Sequence, residues 1–121
     1  MPILVYESVT EKPVIWLGTA RDDLRGFPAD VRQVAGFQLW RVQRGLEPND
    51  WKPMPAVGLG VREIRVHTAL GHRVLYIAKF DEAVYVLHAF QKRTQRTPKR
   101  DVEVARQRLG ELVRRRRHRS R

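Results

Sequence analysis

The run His72-Arg-Val-Leu-Tyr-Ile-Ala-Lys-Phe80, then Asp81-Glu82, then Ala83-Val-Tyr-Val-Leu-His-Ala-Phe90 decides the fold of this chain. Two segments rich in β-branched and aromatic residues stand on either side of two acidic residues, the pattern of a tight antiparallel hairpin. With Asp81 and Glu82 as the turn, Phe80 pairs with Ala83, Leu75 with His88 and Arg73 with Phe90. Paired residues carry their side chains on one face of a ladder, so Arg73, His88, Phe90 and Lys92 fall on one side. The apolar run from Val61 to His67 supplies a third strand of the meander. If its register sets Arg65 opposite Arg73, Arg65 joins the group; a slip of one residue turns it away.

Outward from this meander, the N-terminal half reads as strands and two helices. Ile3-Leu-Val-Tyr6 and Pro13-Val-Ile-Trp-Leu17 are short apolar runs in extended form. Thr19 suits the N-cap of a short helix ending near Gly26. Pro28 suits the first position of a second helix, with Asp30 in its first turn. Val31, Ala35, Leu39, Val42 and Leu46 recur at helical spacing as one buried stripe, and Gly45 terminates it. Glu47 to Gly60, broken by three prolines and two glycines, reads as a loop. Beyond the hairpin, Thr97-Pro98 marks a helix start, and Val102, Ala105, Leu109 and Leu112 form that helix's apolar stripe. The expectation is one α+β domain over residues 1–113: a small, antiparallel-rich twisted sheet, two N-terminal helices packed on it and a C-terminal helix. The helices are expected on one face, leaving part of the other free, with residues 114–121 a basic, frayed and flexible tail.

Charge separates the ends of the chain. Of its 24 Lys/Arg and 13 Asp/Glu, 13 basic and 3 acidic residues lie between Gln91 and Arg121, so the formal net charge of +11 is concentrated where the last strand runs out. That concentration points to a polyanion partner. The basic residues stand beside Gln91, Thr94, Gln95 and Thr97 and not beside exposed Trp, Phe or Leu, which favours nucleic acid over a membrane surface. The absence of cysteine excludes disulfides, thiolate catalysis and Cys-based zinc sites. No secretion signal opens the chain, and no apolar run nears the ~20 residues of a membrane span, so a soluble cytoplasmic protein is expected.

Arginine and lysine hold phosphates, the guanidinium in a bidentate way, and Phe90 could stack a base. Each feature also has a plainer reading. Phe90 suits the core, His88 between Leu87 and Ala89 suits a hydrogen-bonded core histidine, and the Arg73 stem suits a cover over apolar surface. Gly58-Leu-Gly60 is too short to cradle a phosphate. His67 and His72 have no carboxylate pattern beside them, so no metal site is expected.

Several strings carry a family resemblance. Trp16-Leu-Gly18, Asp23-Leu-Arg25 with Phe27-Pro28, Trp51-Lys-Pro-Met-Pro55, Val61-Arg-Glu-Ile-Arg65, Tyr85-Val-Leu-His-Ala-Phe-Gln-Lys92 and Thr94-Gln-Arg-Thr-Pro98 span about residues 13 to 113. Together the sequence resembles the phage-derived, HigB-like branch of the RelE/ParE toxin superfamily. The resemblance implies a RelE-like fold and the toxin of a type II toxin–antitoxin system. It implies a ribosome-dependent mRNA endonuclease that acts in the A site and needs no cofactor or metal. The RNA 2′-hydroxyl attacks the adjacent phosphate, leaving a 2′,3′-cyclic phosphate and a 5′-hydroxyl. A helix-turn-helix antitoxin neutralises such a toxin, and operator DNA is met only through their complex.

The same resemblance implies roles for individual residues. Arg73 and Lys92 match groups on the scissile phosphate, Arg65 the group nearest the 2′-hydroxyl, and His88 is a strand-borne imidazole on their face able to act near neutral pH. Lys52, Arg62, Phe90, Arg93, Gln95 and Arg96 are the expected RNA contacts. HigB-like enzymes are usually assigned a catalytic His or Tyr beyond the last strand, and this chain has neither between Gln91 and Gly110. Proton transfer then falls to Arg and Lys, which serve poorly unless their pKa values are strongly lowered. Two alternatives stand beside this function: a ParE-like inhibitor of DNA gyrase, and an RNA-binding module without catalysis.

Overall fold

The computed structural model describes residues 11–66, 71–93 and 95–119, so the Ile3–Tyr6 run, His67 and Thr94 lie outside the described residues. Strands β1 (Val14–Trp16), β2 (Trp51–Pro53), β3 (Val61–Val66), β4 (His72–Ile77) and β5 (Val84–Gln91) form one sheet in the order β1-β5-β4-β3-β2. Strands β2 to β5 are an antiparallel meander, and β1 runs parallel to β5, making the sheet mixed. Helices α1 (Ala20–Arg25), α2 (Ala29–Gln43) and α3 (Lys99–Arg119) complete an α+β architecture.

The helices divide between the two faces of the sheet, against the expectation of one covered face. Ala20 and Leu24 of α1 and Val31, Ala35, Leu39 and Val42 of α2 pack on Ile64, Val66, Val74, Tyr76 and Val86. On the opposite face Ala105 and Leu112 of α3 pack on Leu75, Ile77, Tyr85, Leu87 and Phe90. The physical reason is legible in β5, which is buried at every position from Val84 to Phe90. A strand without polar alternation needs cover on both sides.

Several boundaries shift from their sequence-based positions. Pro28 is the cap of α2 and not its first helical residue: its backbone is extended (ψ 151°), and its carbonyl accepts the Arg32 N–H at 2.9 Å. Leu46 lies beyond the end of α2 and is 48% exposed, so the buried stripe stops at Val42. The expected loop after α2 contains β2, a three-residue edge strand that tolerates Pro53 because an edge needs only one ladder partner. Helix α3 continues through Arg119, well past the last apolar residue of its stripe.

The hairpin reaches its expected pairing by a different route. Arg73 stands opposite Phe90 and Leu75 opposite His88, but Tyr76 pairs with Val86, leaving Leu87 as a bulge. The ladder then closes at Ile77–Tyr85 with a longer connection than two residues. A bulge absorbs one residue and sharpens the twist. Its displaced Leu87 carbonyl accepts a hydrogen bond from the Arg108 guanidinium of α3 at 2.9 Å. Gly18, at φ +54°, leaves the space that guanidinium occupies; a Cβ there would stand 2.6 Å from Arg108 Cζ.

Candidate functional site

Alternation along β3 puts Val61, Glu63 and Arg65 on the α3 face of the sheet and Arg62, Ile64 and Val66 on the α2 face. The register of β3 with β4 sets Arg65 directly opposite Arg73, the pairing that brings Arg65 into the group. Lys52 of β2 is opposite Glu63, and Lys92 follows β5. Four cations (Lys52, Arg65, Arg73, Lys92) therefore converge on one end of one face from four strands. Like charges directly across a ladder repel, so the arrangement demands a counter-ion.

Glu63 is that counter-ion, and sequence reasoning missed it. Its side chain is fully buried, with Oε1 3.3 Å from Arg73 Nε and 3.8 Å from Lys52 Nζ, while Oε2 accepts the Thr97 hydroxyl at 2.7 Å. Among the described residues Glu63 Oε1 and Arg73 Nε make no well-aligned hydrogen bond, so ion pairing without hydrogen bonding joins them. The signal was present: period-two alternation places Glu63 on the same face as Arg65. Thr97, expected as a helix cap, spends its hydroxyl on this carboxylate, and the Pro98 carbonyl starts α3 by accepting from Val102 at 3.1 Å.

Each cation is held differently. Arg73 is 13% exposed and donates through Nη1 to the His72 carbonyl at 3.0 Å. Arg65 is more open and donates to Asp50 Oδ1 at 3.0 Å. Lys92 is 6% exposed. Burial pushes its pKa down; Glu63 opposes that, and Lys52, Arg73 and Arg65 add to it. Its backbone N–H donates to the Gly71 carbonyl at 2.6 Å. Gly71 has φ +68°, and a Cβ there would sit 3.2 Å from the Lys92 carbonyl, so a side chain would be strained where the chain enters β4 beside the site.

The remaining expected residues separate into three groups. His88 and Phe90 lie on the α3 face as expected but in the core: His88 Nε2 is 2.7 Å from Asp101 Oδ1, and the rings of His88 and Phe90 stack 5.2 Å apart. Phe90, 8% exposed, offers no face to a base in this conformation. Phe90, expected as an RNA contact, packs in the cluster that holds Ala105 and Leu112 of α3. His88 Nδ1 is buried without a hydrogen-bond partner among the described residues. Asp101, in the first turn of α3, is the partner sequence reasoning did not find. Arg62 points to the opposite face, 4.0 Å above the Trp51 ring and 3.7 Å from Glu47, so the structure separates it from the other cations. Arg93, Gln95 and Arg96 are exposed between β5 and α3, beside the cluster in sequence.

Chemically the cluster is suited to hold an anion. Four cations are balanced by Glu63 and the half-exposed Asp50, leaving a surplus of positive charge with fixed geometry. No group of three or more potential metal ligands occurs among the described residues. A family model described as phage derived protein Gp49-like (DUF891) matches residues 22–110. No curated protein matches the chain.

Proposed function

This chain belongs to the phage-derived Gp49-like family, and from that premise we propose that it is the toxin of a type II toxin–antitoxin pair, a HigB-like mRNA endonuclease with a RelE-like fold. The observation that carries the reading is the convergence of Lys52, Arg65, Arg73 and Lys92 around one buried carboxylate. Such a cluster answers the demand of 2′-hydroxyl attack on a phosphodiester, where negative charge builds on the phosphorane oxygens. In the proposed reaction Arg73 and Lys92 hold the scissile phosphate, and Arg65, tethered by Asp50, stands nearest the attacking hydroxyl. The 2′-hydroxyl gives up its proton to solvent as its oxygen bonds to phosphorus, the bond to the 5′-oxygen breaks, and that oxygen takes a proton.

Lys92 is the group best suited to give that proton. Burial lowers its pKa from the ordinary lysine value, which makes the ammonium a stronger acid. His88 is committed to Asp101 beneath α3 and serves to position the end of β5. Lys52, Arg93, Gln95 and Arg96 then flank the message, and the ribosome supplies its orientation. A helix-turn-helix antitoxin neutralises the protein, and operator DNA is met through that complex.

The test is induced expression without antitoxin, comparing wild type with Arg73→Ala/Lys92→Ala and mapping the 5′ ends of messenger RNA. Growth arrest with new in-frame cleavage ends on translated messages, absent in the double variant, is the expected result. Arrest with intact messages and relaxed DNA would replace this function with gyrase inhibition, and no arrest would leave an RNA-binding module.

A further inference from the structure

Helix α3 carries the chain's densest charge at the end farthest from the cluster. Its 21 residues span about 31 Å at 1.5 Å per residue. Its last turns hold Arg114, Arg115, Arg116, Arg117 and Arg119. Arg116 differs from the others. Its guanidinium grips Glu82 with Nε at 2.7 Å and Nη2 at 3.2 Å, lies 3.7 Å above the Phe80 ring, and shares Glu82 with the Tyr85 hydroxyl at 2.8 Å. A bidentate pair of this kind fixes orientation as well as distance. It ties the last turns of α3 to the β4–β5 connection, where an unanchored helix end would fray.

The neighbours of this anchor are presented outward. Arg114, Arg115, Arg117 and Arg119 are exposed, and among the described residues none has a carboxylate partner. Cations are favoured at a helix C-terminus by the backbone dipole, so the helix bears the charge without a counter-ion. Of the exposed large apolar side chains only Ile15 borders this end, beside Arg115 and Arg119. Val34, Phe37, Trp40, Leu46 and Leu59 lie elsewhere, so this end presents a single apolar side chain and no wedge to insert into a bilayer. The aromatic rings nearest this end are engaged and do not form an open platform for unpaired bases: Arg116 covers Phe80, the Tyr85 hydroxyl holds Glu82, and Trp16 packs on the core. We infer that the C-terminal turns of α3 are a second, built anion surface that binds the phosphodiester backbone of duplex nucleic acid, separate from the cluster around Glu63. Guanidinium groups without base-reading partners position a protein on a duplex without choosing its sequence.

The test uses the full chain and two 20-base-pair probes of one sequence, RNA and DNA, with fluorescence anisotropy between 50 and 200 mM salt. Arg114→Gln/Arg115→Gln/Arg117→Gln removes three charges and keeps good helix formers. At a slope of about 0.9 per phosphate contact, the fourfold rise in salt should cost wild type about 40-fold more affinity than it costs this variant. Arg→Lys at the same three positions should restore binding, and the Gln effect should persist in the Arg73→Ala/Lys92→Ala background. The probe held more tightly identifies the natural duplex. Unchanged affinity and slope in the Gln variant would overturn the inference. So would loss of the Gln effect in the Arg73→Ala/Lys92→Ala background, or tighter binding to phosphatidylserine vesicles than to either duplex.

Discussion

Glu63→Gln should make the protein less stable and its grip on RNA tighter. The amide keeps the shape of the side chain and an oxygen for the Thr97 hydroxyl, so the change removes charge alone. At an effective dielectric constant of about 20, unit charges at the 3.3 Å Glu63–Arg73 separation attract by about 5 kcal/mol. At the 3.8 Å Glu63–Lys52 separation they attract by about 4 kcal/mol. The substitution also relieves the cost of burying the carboxylate, and the net loss for breaking a buried pair is about 3–5 kcal/mol. For a 121-residue chain the entropy of unfolding is about 0.25 kcal/mol per degree, so Tm should fall by about 12–20 °C.

RNA binding should move the other way. A phosphate seated about 5 Å from the lost charge gains about 0.8 kcal/mol in water, about fourfold in affinity at low salt. The assays are urea or thermal unfolding and anisotropy with a short single-stranded RNA. Thr97→Val is the control: it loses a charge-assisted hydrogen bond worth about 1.5–3 kcal/mol and leaves the charge balance untouched, so its RNA affinity should stay at the wild-type level. A Glu63→Gln protein within about 1 kcal/mol of wild type, or one that binds RNA more weakly, would refute the counter-ion argument.

Other expectations concern the groups around the cluster and the two ends of α3. Lys92 has a lowered pKa in the folded state, so the folded protein sheds its proton first as pH rises, and the penalty of burying the ammonium is relieved between the folded and unfolded pKa values. Lys92→Met should flatten that alkaline rise in stability, read by urea unfolding at several pH values. Arg116 holds Glu82 at a pKa of about 2, so its contribution is complete above the unfolded value of 4.5 and is lost as pH falls through about 2. Glu82→Gln should remove that part of the acid limb, measured as Tm against pH. Asp101→Ala leaves both ring nitrogens of His88 buried and unpartnered, at a cost of about 1–3 kcal/mol, and should raise amide exchange in the first turns of α3.

Local spacing carried most of the fold. The hairpin, the stripe Val31–Ala35–Leu39–Val42 and the stripe along α3 are periodicities of two and of 3.6, and backbone geometry turns such periods into faces. The same rule put Arg73, Phe90 and His88 on one side, because the period of a strand holds whatever lies beyond it. Only the assembled structure decided the rest. The bulge at Leu87 is a two-strand event, and α3 chose its face because β5 is apolar on both sides. Packing then decided which of the candidates meet solvent: Phe90 and His88 are covered by α3, Arg62 faces α2, and Arg65 and Arg73 meet across the ladder over Glu63. Glu63 and Asp101 became partners of residues ten and thirteen positions away through contacts that arise only when strands and helix are in place. Charge in a sequence is a list of signs. Desolvation and distance, which set what each sign does, belong to the tertiary fold.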